Sequence, residues 1–438
     1  MTLSRRKFLQ TTAAASVFTI LPRKVLGAMN TGVPGANKYV APSDQITKGL
    51  IGTGGIGMSS NHFTSDDKYR LVAVCDVDRN HLDRAVKAGE ARFGEKLQAY
   101  SDWRELVADP NVDVVHIATP SHWHGIMSVT AARAGKDIFC EKPMTRTIAE
   151  GEKVVEEVGR HGRIFRLNTW FRFKDTFYGL GTTVEPLKKL VDSGVLGWPL
   201  TVRISGATGF AWKFYWTGKE NLIPEPVPAE LDYDMWLGPA PYKPYNPHRV
   251  HGTFRGYWDY ESGGLGDMGQ HYIDPVQYIL GKDDTYPVKV EVDAPQQHPD
   301  AVGTWRSITY TYEDGCRIIL EGEGYESKGK VPYIEGPLGK VYKGFECTIP
   351  NVMDLIAELP DPTPRHTDYL ECVRTRQHFA LDEKIGHHSC TVVNLGACAL
   401  RLGRTLEFDP KTCRFIGDDA ANLLLRQPMR APWESYIF

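Results

Sequence analysis

The chain has 438 residues, of which 42% are hydrophobic and 24% charged, with a formal net charge of −3. This length suits two or three domains with sizeable cores. The lack of a basic excess argues against a nucleic-acid or membrane-surface partner. The eight cysteines include no CxxC pair, so their spacing fits neither a zinc site nor a dense disulfide scaffold.

The N-terminal residues have the pattern of an export signal. RRKFL at residues 5–9 is positively charged and precedes a short apolar stretch at residues 11–21, too short to span a bilayer as a helix. The paired arginines followed by Phe-Leu favour the twin-arginine route over general secretion. We therefore predict a signal peptide over residues 1–28 and a periplasmic location.

Residues 29–45 follow as an extended arm, because they are rich in Pro, Gly, Asn and Ala and lack helix or strand periodicity. From Ile46 onward, continuous apolar runs typical of buried parallel strands alternate with helical patterns. The expected strands are ITKGLIG, LVAVCD, VDVVHIA and DIFCEKP, and the expected helices cover residues 56–65, 80–93, 102–108 and 125–134. This order predicts a doubly wound α/β domain over residues 46–160.

The pattern changes beyond residue 160. Expected strands at residues 200–205, 288–292, 308–312 and 317–323 alternate apolar and polar side chains, as antiparallel strands do. A loop over residues 209–256 is dense in proline and aromatic residues and is expected to fold over something. Residues 389–403 have helical spacing. We predict a second α/β domain over residues 161–438 with a large, mainly antiparallel open sheet.

GTGGIG at residues 52–57 matches GxGxxG between an expected strand and an expected helix. Gly52 allows the tight turn, Gly54 lets the backbone approach a pyrophosphate, and Gly57 permits close helix–strand packing. Asp76 ends the next strand, where its carboxylate accepts from ribose hydroxyls and repels a 2′-phosphate. The motif predicts a dinucleotide site that favours NAD over NADP. The alternative is a glycine turn in an unrelated α/β unit.

Three further segments carry groups suited to proton transfer. TPSHWH (residues 119–124) and EKP (residues 141–143) follow strands at the sheet edge where open sheets bind ligands. GGLGDMGQHYID places Asp267 and His271 four residues apart, on one face of a helix. A lysine with such a pair can hold a hydroxyl and remove its proton. We expect Lys142 to polarise the oxygen and His271, titrating near neutral pH, to be the base.

Simpler interpretations exist for each segment. Lys142 could be a surface lysine, and Asp267 with His271 could be a helix-cap and packing pair. The histidines at residues 122 and 124 could suggest a metal, but no third ligand is evident in the sequence, so we predict no metal site. The histidines at residues 387 and 388 are expected in a solvated turn.

GTGGIG, Asp76, TPSHWH, EKP and GGLGDMGQHYID in combination resemble the Gfo/Idh/MocA oxidoreductase family, over nearly the whole length beyond the signal. The resemblance implies a Rossmann domain and a C-terminal α/β domain whose open sheet often forms an oligomer interface. It implies that Lys142, Asp267 and His271 are catalytic and that Glu141 lies near the nicotinamide ribose. The expected cofactor-binding residues are Gly52, Gly54, Ile56, Gly57, Asp76, Thr119, Pro120, His124, Glu141 and Lys142.

DYDMWLGPAPYKPYNP and RLGRTLEFDPKT further look like exported, twin-arginine members from bacteria that degrade carbohydrates. The resemblance implies an oxidoreductase that moves a hydride between a sugar or glycoside carbon, with C3 of a glucoside expected, and a tightly bound NAD. The arm over residues 29–45 is expected to clasp the dinucleotide. Expected sugar-contacting residues, chosen by proximity to the motifs, are Trp123, Arg172, Tyr257 and Trp258.

Two other functions stay open from the sequence. One is an NAD-dependent glycoside hydrolase with no net redox change, a branch of the family that resembles this chain less because it does not keep the EKP lysine. The other is a non-enzymatic binding protein on a dehydrogenase fold, since fold alone does not establish function.

Overall fold

A computed structural model of the protein describes residues 45–66, 68–169, 171–173, 183–325 and 330–438. The predicted signal peptide and all but the last residue of the predicted arm lie outside these residues. Within them, no helix combines the length and apolar character needed to cross a bilayer.

The first sheet has six parallel strands in the order β3-β2-β1-β4-β5-β6. These strands are β1 (Ile46–Ile51), β2 (Tyr69–Cys75), β3 (Gln98–Tyr100), β4 (Val114–Ile117), β5 (Asp137–Glu141) and β6 (Phe165–Asn168). The predicted doubly wound fold is confirmed. Its strand order reverses between β1 and β4, which is where such sheets bind ligands. The sheet extends past the predicted boundary at residue 160, because β6 pairs with β5.

Four helices connect these strands: α1 (Arg79–Phe93), α2 (Trp103–Ala108), α3 (His124–Arg133) and α4 (Ile148–His161). Asp78 caps α1 by accepting from the backbone N–H groups of residues 80 and 81. The helix predicted over residues 56–65 is wrong, because the chain there forms successive turns. Ser59, Ser60 and Asn61 favour turns and caps over helix interiors, because their side chains compete for backbone hydrogen bonds.

The second sheet has eight strands in the order β12-β11-β7-β10-β9-β8-β13-β14. They are β7 (Thr201–Ile204), β8 (Lys289–Asp293), β9 (Ser307–Thr311), β10 (Arg317–Glu321), β11 (Ile334–Glu335), β12 (Lys340–Val341), β13 (Leu406–Asp409) and β14 (Arg414–Phe415). The pair β7–β10 is parallel and the remaining pairs are antiparallel. The predicted mainly antiparallel sheet is confirmed.

The helices of this second part are α5 (Val184–Asp192), α6 (Tyr233–Leu237), α7 (Gly263–Ile279), α8 (Val352–Glu358), α9 (Tyr369–Thr375), α10 (Glu383–Leu402) and α11 (Asp419–Leu423). The solvated turn predicted for His387 and His388 is wrong, because α10 already begins at Glu383 behind the cap Asp382. His387 is buried in α10, and this burial lowers its pKa to about 3.

The chain returns to the first sheet near its C-terminus. Tyr369, Leu381, Trp433 and Ile437 join the apolar core that packs on the first sheet. The eight cysteines are free thiols, and the six that are buried pack as small apolar side chains. The second part of the chain therefore closes one side of the first sheet, beside the edge that carries the motifs.

Candidate active site

The glycine loop after β1 leaves one of its sides open. Gly52 has a φ of +89°, and a Cβ there would lie 2.6 Å from the carbonyl oxygen of Ala118. A Cβ at Gly57 would overlap the carbonyl oxygen of Gly52, so both positions require glycine. A Cβ at Gly54 would meet nothing nearer than 3.9 Å, and at Gly55 nothing within 4 Å. The open side of these two glycines is where a pyrophosphate can approach the backbone.

A groove of about 360 Å³ runs along this open side. Asp76 sits at its rim, where its carboxylate accepts from the Thr53 backbone N–H at 2.7 Å and from the Asp78 backbone N–H at 2.9 Å. Of the predicted cofactor residues, the groove is lined by Gly52, Gly54, Ile56, Asp76, Thr119 and Pro120. These groups fit an extended dinucleotide, with the carboxylate of Asp76 facing the ribose position.

The groove adjoins a larger cavity of about 890 Å³, and Ile56, Thr119, Phe254 and Arg255 line both spaces. Of the remaining cofactor predictions, His124, Glu141 and Lys142 line this larger cavity, whereas Gly57 packs beneath the loop. The ring nitrogens of His124 lie 2.7 Å from the Pro143 carbonyl and 2.9 Å from the Thr119 carbonyl. His124 thus holds two strand-end loops together beside the cavity.

Three cations surround one carboxylate at the centre of the cavity. Lys142, directly after β5, donates from Nζ to the Oδ1 and the backbone carbonyl of Asp267, both at 2.8 Å. Arg255 donates to the same Oδ1 at 2.9 Å, and Lys213 donates to Oδ2 at 2.7 Å. Burial favours the protonated acid, but these cations hold the pKa of Asp267 well below its ordinary value. Asp267 is therefore a fixed negative charge.

His271 lies one turn further along α7 and also lines the cavity. Its Nδ1 is 3.0 Å from the hydroxyl oxygen of Thr169, and the ring of Phe171 packs edge-on against it at 4.9 Å. Burial and then the positive charge of Lys142 lower the pKa of His271 well below its ordinary value. The imidazole does not titrate near neutral pH, contrary to our expectation. It is neutral there and free to accept a proton.

Glu261, which sequence reasoning missed, is a second carboxyl group in the cavity. It lies just before α7 and is 5% exposed. Its Oε2 accepts from the Ser121 hydroxyl at 3.1 Å, while Oε1 has no hydrogen-bond partner among the described residues. Burial raises the pKa of Glu261 to about 7, against the pull of Arg255 and Lys142. Its sequence signal was an acidic residue two positions before the start of GGLGD.

The four predicted sugar-contacting residues are not among the described residues that line the larger cavity. Trp123 lines the dinucleotide groove, Arg172 pairs with Asp274 and Asp283, Tyr257 is buried beside His248, and Trp258 lines a separate small pocket. Proximity to a motif in the sequence failed here because it does not fix where a side chain points. The predicted covering loop over residues 209–256 instead contributes Lys213, Phe254 and Arg255 to the cavity.

The cavity has a second end that sequence reasoning also missed. Lys48 on β1, Tyr69 on β2 and Arg166 on β6 line it, and Tyr369 closes it from the second part of the chain. Lys48 and Arg166 are cations inside strands that are otherwise apolar. For Lys48 the signal was present in ITKGLIG, but we treated that strand as a continuous apolar run instead of asking which face the charge occupies. For Arg166 no strand was predicted, because β6 lies beyond the expected domain boundary at residue 160.

Two sequence models of one family match the chain. Residues 46–169 match an oxidoreductase family NAD-binding Rossmann fold, and residues 180–435 match the C-terminal alpha/beta domain of the same oxidoreductase family. The first match includes the glycine loop and EKP, and the second includes the helix that carries Asp267 and His271.

Three curated relatives share 24% to 28% sequence identity with parts of this chain. The uncharacterised oxidoreductase YrbE of Bacillus subtilis is 24% identical over 66% of this chain and 71% of its own length. A myo-inositol 2-dehydrogenase of Thermotoga maritima is 28% identical over 54% of this chain and 55% of its own length. A glycosyl hydrolase family 109 protein of Shewanella baltica is 28% identical over 50% of this chain and 52% of its own length. The chain spans about half the length of the last two relatives.

Solved structures of similar fold include the WlbA dehydrogenase of Chromobacterium violaceum in complex with NADH and UDP-GlcNAcA. It has a TM-score of 0.58 at 18% identity, covering 84% of this chain and 96% of its own. The myo-inositol 2-dehydrogenase of Lactobacillus plantarum has a TM-score of 0.54 at 17% identity, covering 83% of this chain and 100% of its own. At these identities the likeness shows the fold alone.

Proposed function

Because the chain belongs to the Gfo/Idh/MocA oxidoreductase family, we propose that it moves a hydride between a sugar or glycoside carbon and a tightly bound NAD. The observation that carries this proposal is that two spaces adjoin. Four residues line both the groove at the glycine loop and the cavity that holds Lys142, Asp267 and His271. The sugar-dehydrogenase relatives support the substrate class. Asp76 at the groove rim favours NAD over NADP, since a carboxylate there repels a 2′-phosphate.

The proposed chemistry follows from the charges of the cavity. When bound, the nicotinamide supplies the acceptor for the hydride. Lys142, held by the fixed charge of Asp267, donates a hydrogen bond to the substrate oxygen. His271, which lines the same cavity, accepts the hydroxyl proton as the hydride leaves. The substrate C–H bond breaks with its electron pair leaving as hydride, and the carbon–oxygen bond becomes a carbonyl.

Mass spectrometry of a panel of glucosides, incubated with the purified protein and a hydride acceptor, tests the proposal. We expect a product lighter by about two mass units, the loss of two hydrogens, with fragmentation placing the new carbonyl at C3. Lys142→Met should abolish the product. Lys153→Met, which changes a helix lysine paired with Glu156 outside the cavity, should leave it unchanged. No mass change in any sugar or cyclitol would contradict the proposal.

The glycoside hydrolase function has one supporting observation, the Shewanella baltica relative. Against it stands Lys142, whose ammonium is ion-paired with Asp267 inside the cavity. The same mass spectrometry separates the two functions. Release of free aglycone without a keto product would favour the hydrolase, whereas an intact glycoside lacking two hydrogens favours net oxidation.

We further propose that the protein is exported in folded form by the twin-arginine route with NAD already bound. RRKFL at residues 5–9 supports this route. Replacing both arginines by lysine should trap the protein in the cytoplasm. A protein that arrives without NAD, or that exchanges it rapidly after washing, would contradict tight binding.

The eight-stranded sheet is the proposed site of homo-oligomer formation. Along β9 the even-numbered residues Ile308 and Tyr310 are buried, whereas the alternate side chains are partly exposed, which leaves one face of the sheet accessible. Light scattering should give a mass above that of one chain, and Thr309→Arg on the accessible face should reduce it. A monomer by light scattering would contradict this proposal.

A further inference from the structure

The second end of the large cavity lies along one face of the six-stranded sheet. Arg166 pairs in register with Phe139, Phe139 with His116, and His116 with Leu50, so the four side chains share one face. Lys48 lies two residues before Leu50 and therefore points the same way. This face carries a lysine, a histidine and an arginine at positions where a doubly wound sheet ordinarily presents apolar side chains to a helix.

The covering of this face explains how Lys48 is accommodated. Turns replace the helix predicted after the glycine loop, and they bring backbone and hydroxyl oxygens over the strand. Lys48, which is 1% exposed, donates from Nζ to the His62 carbonyl and to the Thr64 hydroxyl, both at 2.9 Å. Its ammonium also lies 4.5 Å from the ring centre of Tyr69. Within the described chain, no carboxylate forms an ion pair with it.

Arg166 is also a cation without a carboxylate. Its guanidinium lies 4.3 Å from the ring centre of Phe139, 5.3 Å from that of Phe379 and 6.0 Å from that of Tyr369. It forms no ion pair with the residues that the structure describes, and its Nε has no hydrogen-bond partner among them. Three other arginines do form ion pairs with carboxylates: Arg172 with Asp274, Arg249 with Asp300 and Arg255 with Asp267.

Glu141 and Asp368 line the same cavity, and Asp66 lies near Lys48. Among the described residues none of these carboxylates forms an ion pair with Lys48 or Arg166, and each contacts other groups. Asp66 accepts from the backbone N–H groups of Lys68 and Tyr69 at 2.7 and 2.9 Å. Asp368 caps α9 by accepting from the Glu371 N–H at 3.1 Å. Glu141 contacts the side chains of His62 and Asn168. Removing charge from water without an ion-pair partner is costly, and the Arg166 guanidinium has no such partner among the described residues. A bound anion would pair with this guanidinium and favour the protonated form of the Lys48 amine, so the compartment points to a ligand that supplies negative charge.

Further donors surround the two cations. The hydroxyls of Tyr69 and Tyr369 are buried without a hydrogen-bond partner in the described residues, as are both ring nitrogens of His116. Arginine, lysine and hydroxyl donors are the groups that bind carboxylate and phosphate oxygens. The compartment therefore offers donors and positive charge to an oxyanion.

A metal ion suits this compartment less well. His62, His116 and Glu141 place their ligand atoms within 4.8 Å of one another. However, burial, together with nearby groups that include Lys48 and Arg166, lowers the pKa of His116 well below its ordinary value. The same positive charges that disfavour a proton on His116 disfavour a bound metal cation there.

We propose that the compartment formed by Lys48, Arg166, Tyr69 and Tyr369 binds an oxyanion, either a carboxylate of the substrate or a free inorganic oxyanion. It belongs to the same cavity as Lys142 and His271. The substrate source to be tested is an acidic sugar or an acidic aglycone. The carboxylate source rests on the proposed function, whereas oxyanion binding itself does not.

Isothermal titration calorimetry of the purified protein with its bound cofactor, in a phosphate-free buffer, tests the binding directly. The probes are inorganic phosphate, glucuronate and, as the neutral control, glucose. We expect both oxyanions to bind more tightly than glucose, and Arg166→Gln to weaken their binding by about tenfold or more, as loss of a charge-assisted contact does. Arg92→Gln removes an exposed arginine that stacks on Phe63 outside the cavity, and should change nothing.

Arg166→Lys keeps the charge and guards against a variant that fails to fold. We expect it to bind phosphate more tightly than Arg166→Gln does, with both variants melting cooperatively. Oxyanion binding that is unchanged in Arg166→Gln would place the anion at the glycine loop or at Arg255, and would overturn the proposal. Binding of zinc in place of oxyanions, lost in His116→Gln, would overturn it as well.

Kinetics then distinguish the two sources of the oxyanion. If the substrate carries it, kcat/KM for a glucuronide should exceed that for the matching glucoside, and Arg166→Gln should remove the difference. If phosphate binds without any such preference, the free oxyanion is the ligand. If no sugar is oxidised at all, the proposed function fails while the calorimetric result for the compartment stands.

Discussion

The two ends of the large cavity handle positive charge in opposite ways. At one end, Lys142, Lys213 and Arg255 converge on the single carboxylate of Asp267. At the other, Lys48 and Arg166 lie beneath turns and aromatic rings with no carboxylate paired to them in the described chain. We call the first end compensated because each of its three cations contacts a carboxylate, although its net charge stays positive. Such a cluster is ordered before substrate arrives, which suits chemistry. An uncompensated one is completed only by its ligand, which suits recognition.

The largest effect expected from this comparison is at Lys142. Lys142→Met removes the ammonium that contacts Asp267 and the substrate oxygen, so we expect kcat to fall by about 10³-fold or more. The groove at the glycine loop does not involve this side chain, so NAD should stay bound. Steady-state kinetics and the absorbance of the bound cofactor measure both. Unchanged turnover would remove Lys142 from the mechanism.

Asp267→Asn should convert the compensated end into an uncompensated one. Three cations would lose their only shared negative charge, and the free energy of unfolding should fall by about 3 kcal/mol, as when one partner of a buried pair is removed. Turnover should fall by about 100-fold, because Lys142 loses its orientation. Chemical denaturation and kinetics measure the two effects.

The matched control for that substitution is Asp293→Asn, which breaks an exposed ion pair with Arg306. An exposed pair contributes less than about 1 kcal/mol, so this variant should denature like the wild type. If the two variants lost equal stability, the three-cation cluster would not be the rigid element that the comparison requires.

The doubly wound sheet and the glycine loop could be predicted because periodicity and one motif determine them. The pairing of Lys142 with Asp267 could be predicted too, since both belong to motifs of known spacing. Glu261 could not, because its raised pKa arises from burial that only the packed structure shows. The interpretation of Arg172 depended on packing in the same way. Arg172 is near a motif in the sequence, but in the structure its guanidinium forms ion pairs with Asp274 and Asp283.

The second end of the cavity shows a different limit of sequence reasoning. In the structure, His116 and Arg166 both lie in register with Phe139, so their side chains share one face of the sheet. What the sequence did not show was that residues 56–65 form turns, which leave that face open to a cavity. A charged residue inside a strand indicates that the segment packed on that face is not an apolar helix. Here that segment is residues 56–65, which we wrongly predicted as a helix.

Lys48→Met tests whether burial of the Lys48 amine without an ion-pair partner lowers the free energy of unfolding. Burial lowers the pKa of Lys48 to about 7, with Asp66 opposing the shift. Between pH 7 and the ordinary pKa of lysine, the unfolded chain binds more protons than the folded one, so wild-type stability from this group rises with pH. Between pH 7 and pH 9 the free energy of unfolding of the wild type should therefore rise by about 2 kcal/mol relative to that of the variant.

Urea denaturation at the two pH values measures that difference. Lys289→Met is the control, because its ammonium forms an exposed ion pair with Glu291. The control should show no pH-dependent difference from the wild type over this range. A pH-independent difference for Lys48→Met would mean that Lys48 stays protonated from pH 7 to pH 9. Its positive charge would then be better neutralised by its surroundings than its contacts indicate.

The smallest effect is expected at Glu261, which brings a titrating charge to the compensated end. Burial raises its pKa to about 7, so the carboxyl is neutral at pH 6 and ionised at pH 8. Glu261→Gln keeps the neutral state, so variant and wild type should have similar kcat/KM at pH 6 and diverge severalfold above pH 7. The pH profile of kcat/KM measures this. Parallel profiles would show that Lys142 and Asp267 set the electrostatics alone, because a second carboxylate near them would then have no consequence.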